Sequence, residues 1–595
     1  MFSEKRNVLQ LVSLLKAHKI AHYVVSPGSR HSSIVITMEE DPFFKLYSVV
    51  DERSASFFAI GLMQRLCEPV GIICTSGTAS ANYCSAINES LYQELPLLVI
   101  TADREEALRD QHEDQMIRQS NMYLNIAKFV ANLPLVNSET DAWFNNRLIN
   151  EAILELNHHG FGPVQINIPL PSHLDSFSTE RLPQERKISR FDLDSMDWLN
   201  VSQRLKGKKI IVVCGEGFVP TEKQLNDLEL FANKFDAVIL SDKMSNCHTK
   251  NSIENAFAVL QALSGKDLTE IAPDIIISIR ANFSFNPELK GLVKNLRTKG
   301  FKIQNWFVHP SGRVVDPYQG LLTDIFEMDE FTFFRNVASK NIDEMEEQGY
   351  SESWKVISES IEEPKFEFGH LNAVGEFLKR IPQNSVLHLA NSNSVRMAQL
   401  YELDYSIEVH CNRGADGIDG CMSSAIGCAS DGARLNYLMI GDLTFFYDMN
   451  ALWNPHVGKN IRILLDNNGG GAIMHMPKRP DFAEALLPKY LTAHHNASAE
   501  AWAKDRGFKY YSARNAEDLQ KAMDEFTDVN MDGPMLLEVF SNLFSDVKSL
   551  KEYYAQINRN KLDNSLKTRS KKVVRRVCSI LGIDPSKLKV SATHF

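Results

Sequence analysis

Apolar residues along this chain fall into short uninterrupted runs separated by longer stretches with helical spacing. In the first third the runs are HYVVSP, FKLYSVV, PVGIICTS and PLLVITA, with helical periods near Asn7–His18, from Glu52 and from Thr78. Runs that are apolar throughout belong to strands buried on both faces, and such strands are parallel ones joined by crossover helices. The pattern therefore predicts a doubly wound α/β unit with PVQINIPLP, from Pro163 to Pro171, as its last strand. A polar, charged stretch from Asp175 to Lys206 reads as a linker. A smaller α/β unit follows, with KKIIVVCGEG, DAVILSD, PDIIISI and FKIQNWFV as strands. The segment from Asn341 to Phe368 reads as a second linker. The third unit uses SVLHLANSNS, YSIEVHCNRGADGIDG, LNYLMIGD, NIRILLDNNGG and PMLLEVF. Three doubly wound parallel-sheet units in series are the expected architecture, and the length of 595 residues calls for several cores.

Composition narrows the function classes. Hydrophobic residues at 44% and charged residues at 23% describe an ordinary globular chain, and a net charge of −11 argues against a surface that coats nucleic acid. An anionic substrate must be met by a local basic cluster. The nine cysteines include no C-x-x-C pair and sit mostly in apolar or small-residue runs, which fits buried thiols in a reducing compartment. The first twenty or so residues read as an amphipathic helix without the apolar core of a signal peptide, and no apolar stretch approaches the ~20 residues of a membrane span. A cytoplasmic location is expected. The tail from Lys551 to Phe595 is basic, with Val573, Val577, Ile580 and Leu581 on one helical face. It reads either as a solvated or dimer-covering helix, or as a basic membrane-surface or partner helix.

Candidate chemistry lies at the ends of two predicted strands of the third unit. Gly441-Asp442 closes one and Asn467-Asn468-Gly469 closes the next, 25 positions further on, enough for one crossover helix. Both polar ends then fall on the carboxyl edge of the sheet, where open α/β sheets bind ligands. A carboxylate, an amide oxygen and a backbone carbonyl are hard donors suited to Mg²⁺. The pair resembles the Gly-Asp…Asn-Asn signature of thiamine-diphosphate enzymes, with Leu443 where many members carry glycine. In the first unit, Glu52 follows FKLYSVV and opens the helix ERSASFFAIGL. By itself it is a first-turn acid behind an Asp51 N-cap. Beside the metal motif it becomes the carboxylate that such enzymes hydrogen-bond to the cofactor's aminopyrimidine ring.

Taken in order, SPGSR (26–30), DER (51–53), TSGTASAN (75–82), TADR (101–104), QMIRQ (115–119), NRGADGIDG (412–420) and GDLTFFYDMNAL (441–452) resemble the MenD family of thiamine-diphosphate-dependent synthases. The resemblance implies the thiamine-diphosphate-enzyme fold. Its domains would be pyrimidine-binding over 1–185, central over 186–350 and diphosphate-binding over 351–550, with a basic extension over 551–595. It implies decarboxylation of 2-oxoglutarate and 1,4-addition of the resulting enamine to isochorismate, giving 2-succinyl-5-enolpyruvyl-6-hydroxy-3-cyclohexene-1-carboxylate in menaquinone biosynthesis. The alternative is a related carboligase using another 2-oxo acid or acceptor. The cofactors implied are thiamine diphosphate and Mg²⁺ or Mn²⁺, and the assembly a homodimer or dimer of dimers.

Carried over by position, Glu52 is the catalytic residue. Thr75, Gly77, Ile418, Leu443, Asp442, Asn467 and Gly469 bind cofactor, the last three through the metal. Ser29, Arg30, Arg104, Gln115, Ser392, Arg396, Arg413, Ile473 and Met474 contact substrate. Arginine suits dianionic substrates because its planar fork holds a carboxylate bidentately. Asp114 departs from the family's usual amide or glycine. The central stretch IRANFSFNPELKGLVKN has Asn286 near the position of a substrate-reaching lysine, with Lys290 and Lys294 as the nearby alternatives.

Overall fold

The computed structural model describes residues 1–171, 175–263, 268, 270–341, 349–430, 432, 434–477, 480 and 485–558. The basic stretch KTRSKKVVRRVCSILGI lies outside the described residues. Two compact units are formed, one from Met1–Ser195 with Ser311–Glu327, the other from Met196–Pro310 with Met328–Phe595.

The first unit is built on six parallel strands in the spatial order Lys45–Ser48, His22–Val25, Val70–Cys74, Leu97–Asp103, Val164–Pro169, Phe129–Asn132. Helices cover both faces. On one, Arg6–Ala17 buries Val8, Leu11, Val12, Leu14 and Leu15 in a core that includes Ile149 and Ile153 from the helix Glu139–Glu155 and Leu156 at its C-terminal cap. Each such side chain contributes about 1.5–3 kcal/mol on burial. On the other, Glu52–Leu66 lays Ala55, Ala59, Ile60 and Met63 against Val24, Val70 and Ile72. The small residues at 55 and 59 let this helix lie close to the sheet. Its start is set by Asp51, whose carboxylate accepts the N–H of Ser54 at 2.8 Å, and its end by Cys67 at φ 56°.

The stretch read as the first linker is partly ordered. Phe177–Thr179 pairs antiparallel with Phe2–Ser3, and Ser189–Phe191 pairs parallel with Leu322–Phe326. Arg186 and the indole of Trp143 both bond Asp316, at 2.9 and 2.8 Å, which explains why Ser311–Glu327 belongs to this unit. The second linker likewise contains a helix, Tyr350–Glu359.

In the second unit, five parallel strands run Ser252–Ile253, Val238–Leu240, Ile210–Cys214, Ile275–Ile279, Gln304–Val308. A six-stranded parallel sheet follows, ordered Glu408–Cys411, Val386–Leu389, Asn436–Gly441, Ile461–Asn467, Met535–Phe540, Lys509–Ala513. Numbered along the chain, its strands lie in the order 2-1-3-4-6-5, the same as in the first unit's sheet. The edge strand Glu408–Cys411 is capped by the central strands' loops. The Asn246 amide accepts the N–H of Val409 at 2.9 Å and donates to its carbonyl at 3.0 Å, pairing with it as a neighbouring strand would. Among the described residues no helix is long and apolar enough to cross a membrane.

Candidate active site

A 2-1-3 strand order reverses direction between strands 1 and 3, and the crevice outside their carboxyl ends is where doubly wound sheets take ligands. In the first unit that crevice lies after Val25 and Cys74. Gly28 packs so tightly on Thr75 that a Cβ there would sit 2.6 Å from the threonine Cβ. The next loop residue but one, Arg30, donates its backbone N–H to Thr75 Oγ1 at 3.3 Å. Its guanidinium is buried and bonds the carbonyls of Leu170 and Pro171 at 2.9 and 3.3 Å. Burial and the positive charge of Arg104 hold its pKa below the usual arginine range. Ser29 stands exposed on the same loop.

Arg104 follows the strand Leu97–Asp103 and is paired with Glu113. The loop beyond returns to Gly77, whose φ of 84° suits glycine and whose Cβ position would lie 3.0 Å from the carbonyl of Gln115. A buried amide sets this return. Gln119 accepts the N–H of Gly77 at 3.1 Å and donates to Ala102 O and Asn167 Oδ1, both at 2.8 Å. Gln115 and Asp114 are both exposed. Glu52, at the first turn of its helix, is half-buried, and among the described residues no hydrogen bond or ion pair reaches its carboxylate.

In the second unit the corresponding crevice lies after Leu389 and Gly441. Asp442 is 3% exposed, and its Oδ2 accepts three backbone N–H groups, from Asn468, Gly469 and Gly470 at 3.2, 2.8 and 2.9 Å. His495 Nε2 stands 3.3 Å from the same oxygen. Burial raises the Asp442 pKa, and His495 opposes the rise. The Asn467 amide donates to Ala497 O at 2.8 Å and Glu538 Oε1 at 2.7 Å, which turns its oxygen toward the Gly469 N–H at 3.3 Å. Asp442 and Asn467 oxygens thus converge on the N–H of Gly469, whose φ of 81° suits glycine and whose carbonyl accepts the N–H of His495 at 3.1 Å. The set of carboxylate, amide oxygen and backbone carbonyl has the hardness a Mg²⁺ or Mn²⁺ ion takes. Leu443 is half-buried, with its Cδ1 3.5 Å from the Cβ position of Gly471.

Asn391 organises the neighbouring loops. Its amide donates to Asn412 O and Gly417 O at 2.9 and 2.7 Å, and its oxygen accepts from Arg413 at 3.1 Å. Arg413 is 5% exposed and also meets Asp416 at 3.2 Å. Ser392 adopts φ 71°, a conformation that costs a non-glycine residue about 1–3 kcal/mol, and its carbonyl accepts from Arg396 at 2.8 Å. Burial and the charge of Arg413 lower the Arg396 pKa, so two cations share one edge. Ile418 is half-buried in the same loop; Ile473 and Met474 lie on the short helical turn Ala472–His475 beyond the glycines. Lys290 and Lys294 are exposed on the helix Asn286–Thr298, whereas Asn282 reaches Arg413 O at 3.4 Å and is itself bonded by Asn286 at 2.9 Å.

The six first-unit candidates other than Glu52 therefore gather at one sheet edge, and the ten second-unit candidates at the other. Sequence reasoning missed Gln119, Asn391, His495 and Glu538, and also Glu216, whose carboxylate accepts the N–H of Cys411 at 3.0 Å. The signal for Glu538 is present in MLLEVF, a single charge inside an apolar strand.

Residues 8–122 match the family model described as the thiamine pyrophosphate enzyme, N-terminal TPP binding domain. The 2-succinyl-5-enolpyruvyl-6-hydroxy-3-cyclohexene-1-carboxylate synthase of Bacteroides thetaiotaomicron is 40% identical over 571 residues, covering 94% of this chain and 100% of the relative. The chain belongs to this synthase family. The protein of the same name from Bacteroides fragilis is 39% identical over 569 residues, with 94% and 100% covered. That from Flavobacterium johnsoniae is 31% identical over 567 residues, with 92% and 98% covered. The relatives span both units, so the family likeness includes both sheet edges.

Proposed function

We propose that this chain decarboxylates 2-oxoglutarate and joins the remaining four-carbon unit to isochorismate in a 1,4-addition, giving 2-succinyl-5-enolpyruvyl-6-hydroxy-3-cyclohexene-1-carboxylate for menaquinone biosynthesis. The observation that carries the reading is the convergence of Asp442 and Asn467 oxygens at Gly469, on the crevice of a sheet whose strand order is repeated in the unit that carries Glu52. Thiamine diphosphate, when bound, supplies a carbon nucleophile and an electron sink.

The chain's own residues do the rest. Asp442, Asn467 and the Gly469 carbonyl hold Mg²⁺ or Mn²⁺, and with it the diphosphate. Glu52 would accept a hydrogen bond from a ring nitrogen of the aminopyrimidine and move the proton there; that no hydrogen bond or ion pair reaches its carboxylate among the described residues supports this role. Thr75, Gly77, Leu443 and Ile418 shape the space around the cofactor. Arg30, Arg104, Arg396 and Arg413, with Ser29, Gln115 and Ser392, hold the carboxylates of the two dianions, and Ile473 and Met474 line the pocket. Residues 1–185 act as the pyrimidine-binding domain, 186–350 as the central domain and 351–550 as the diphosphate-binding domain.

Glu52 of one copy serves cofactor held by a second copy in a homodimer or dimer of dimers. The helix that carries it supports this, since Phe57 and Phe58 are 43% and 46% exposed on the face away from the core. An active monomer in sedimentation would contradict it. The protein works in the cytoplasm.

The test is product analysis after incubation with thiamine diphosphate, Mg²⁺, 2-oxoglutarate and isochorismate. The reading expects carbon dioxide and the cyclohexene adduct in equal amounts. Carbon dioxide without adduct favours a different acceptor, a reading that the exposure of Lys290 and Lys294 supports.

A further inference from the structure

In the first unit, His158, His159 and Glu327 place one ligand atom each within 4.8 Å of one another. His158 and His159 sit in the loop after the helix Glu139–Glu155, and Glu327 follows the strand Leu322–Phe326. His158 Nε2 lies 3.2 Å from Glu327 Oε2, and His159 Nε2 is paired with Glu327 Oε1.

The surroundings hold this cluster in place. Both oxygens of Glu155 lie 3.0 Å from His158 Nδ1. Arg190 fixes that carboxylate, donating to Glu155 Oε1 at 2.8 Å, to Leu154 O at 3.1 Å and to Gly312 O at 2.9 Å. Lys128 bonds the His158 carbonyl at 2.6 Å. Gly312, at φ 58°, leaves the room Glu327 needs, because a Cβ there would sit 2.4 Å from Oε2.

With its Nδ1 proton directed at Glu155, His158 presents the lone pair of Nε2 to the Glu327 oxygens. Nε2 is buried and makes no hydrogen bond among the described residues. Two acceptors facing each other at 3.2 Å repel unless a cation lies between them. A second proton on His158 answers for one contact only, and His159 brings another imidazole to the same carboxylate. One divalent ion satisfies all three donors together.

We propose that His158, His159 and Glu327 form a site for a divalent transition metal ion, Zn²⁺ in the first place. Two imidazoles and one carboxylate are a zinc-type donor set, with the fourth position open to water, and Mg²⁺ prefers an all-oxygen shell. Glu155 is the carboxylate that orients a ligating histidine and raises its basicity. The ion joins loops 168 positions apart and so clamps the segment Ser311–Glu327 onto its unit.

The experiment titrates the chelator-stripped full chain with Co²⁺ in excess Mg²⁺, which fills all-oxygen sites, and reads visible d–d absorption. One equivalent is expected to give saturating bands that Zn²⁺ abolishes, and Zn²⁺ to raise the thermal midpoint. His159→Ala, at a side chain 70% exposed and so tolerant of folding, is expected to weaken Co²⁺ binding at least tenfold and to erase the thermal shift. Glu155→Gln weakens it about 10–100-fold. The absence of a one-equivalent transition, or unchanged affinity in His159→Ala, overturns the proposal.

Discussion

The backbone N–H of Gly469 bonds Asp442 Oδ2 at 2.8 Å and lies 3.3 Å from the side-chain oxygen of Asn467. Asp442 thus both faces the proposed metal position and shapes the glycine turn beside it. Asp442→Ala is expected to weaken Mg²⁺ and thiamine diphosphate together by at least tenfold. It also frees four N–H groups, those of Leu443, Asn468, Gly469 and Gly470, at about 1 kcal/mol each where they stay buried. Calorimetric titration of the cofactor at several Mg²⁺ concentrations checks the coupling; independent losses would contradict it.

Glu113 is paired with Arg104, where the proposed function puts a substrate carboxylate. It is 34% exposed on its side chain, so the pair is worth at most about 1 kcal/mol, or roughly fivefold in binding. Glu113→Gln is expected to lower KM for one of the two dianions by two- to fivefold with kcat little changed. Steady-state kinetics with each substrate varied in turn identifies which one meets Arg104.

Asn246 gives the edge strand Glu408–Cys411 both a donor and an acceptor, and it is buried. Asn246→Ala leaves the Val409 N–H and C=O without these partners and is expected to cost about 2–3 kcal/mol. Urea denaturation, read as a fall in midpoint at constant slope, measures it.

Burial lowers the pKa of His18 and His388 to about 4, while each ring is hydrogen-bonded, to Asn150 and Asn436 respectively, at 2.9 Å. Both are neutral in the folded chain. The unfolded chain takes up protons below pH ~6.5, so the stability each contributes is complete above that pH and is lost as pH falls toward 4. The loss is on the order of 3 kcal/mol per ring. His388→Gln is expected to flatten the decline in unfolding free energy between pH 6.5 and 4; an unchanged pH profile would contradict the assignment.

These partnerships also mark where the sequence was readable. Strands such as Leu97–Asp103, Val164–Pro169 and Ile461–Asn467 are buried at every position, and the apolar residues that dominate them announce them although Gln165, Asn167, Arg462 and Asp466 are buried among them. Phe129–Asn132 and Lys509–Ala513 are half-exposed edge strands with one neighbour each, and their apolar runs, FVA and YY, are too short to stand out. Asp442 and Asn467 were legible because a strand end fixes their position. Gln119, Asn391 and His495 were not, since each acts through a partner distant along the chain, and a lone amide or imidazole has no local pattern.

The central claim is that Glu52 moves a proton for cofactor held by Asp442 and Asn467. The direct measurement is Glu52→Gln, with turnover and thiamine diphosphate affinity determined on the same preparation in saturating Mg²⁺. Loss of a proton-transfer group costs about 10²–10⁴ in rate. The account predicts turnover lowered by that much with cofactor affinity changed only a few-fold, and wild-type turnover in the variant would contradict it.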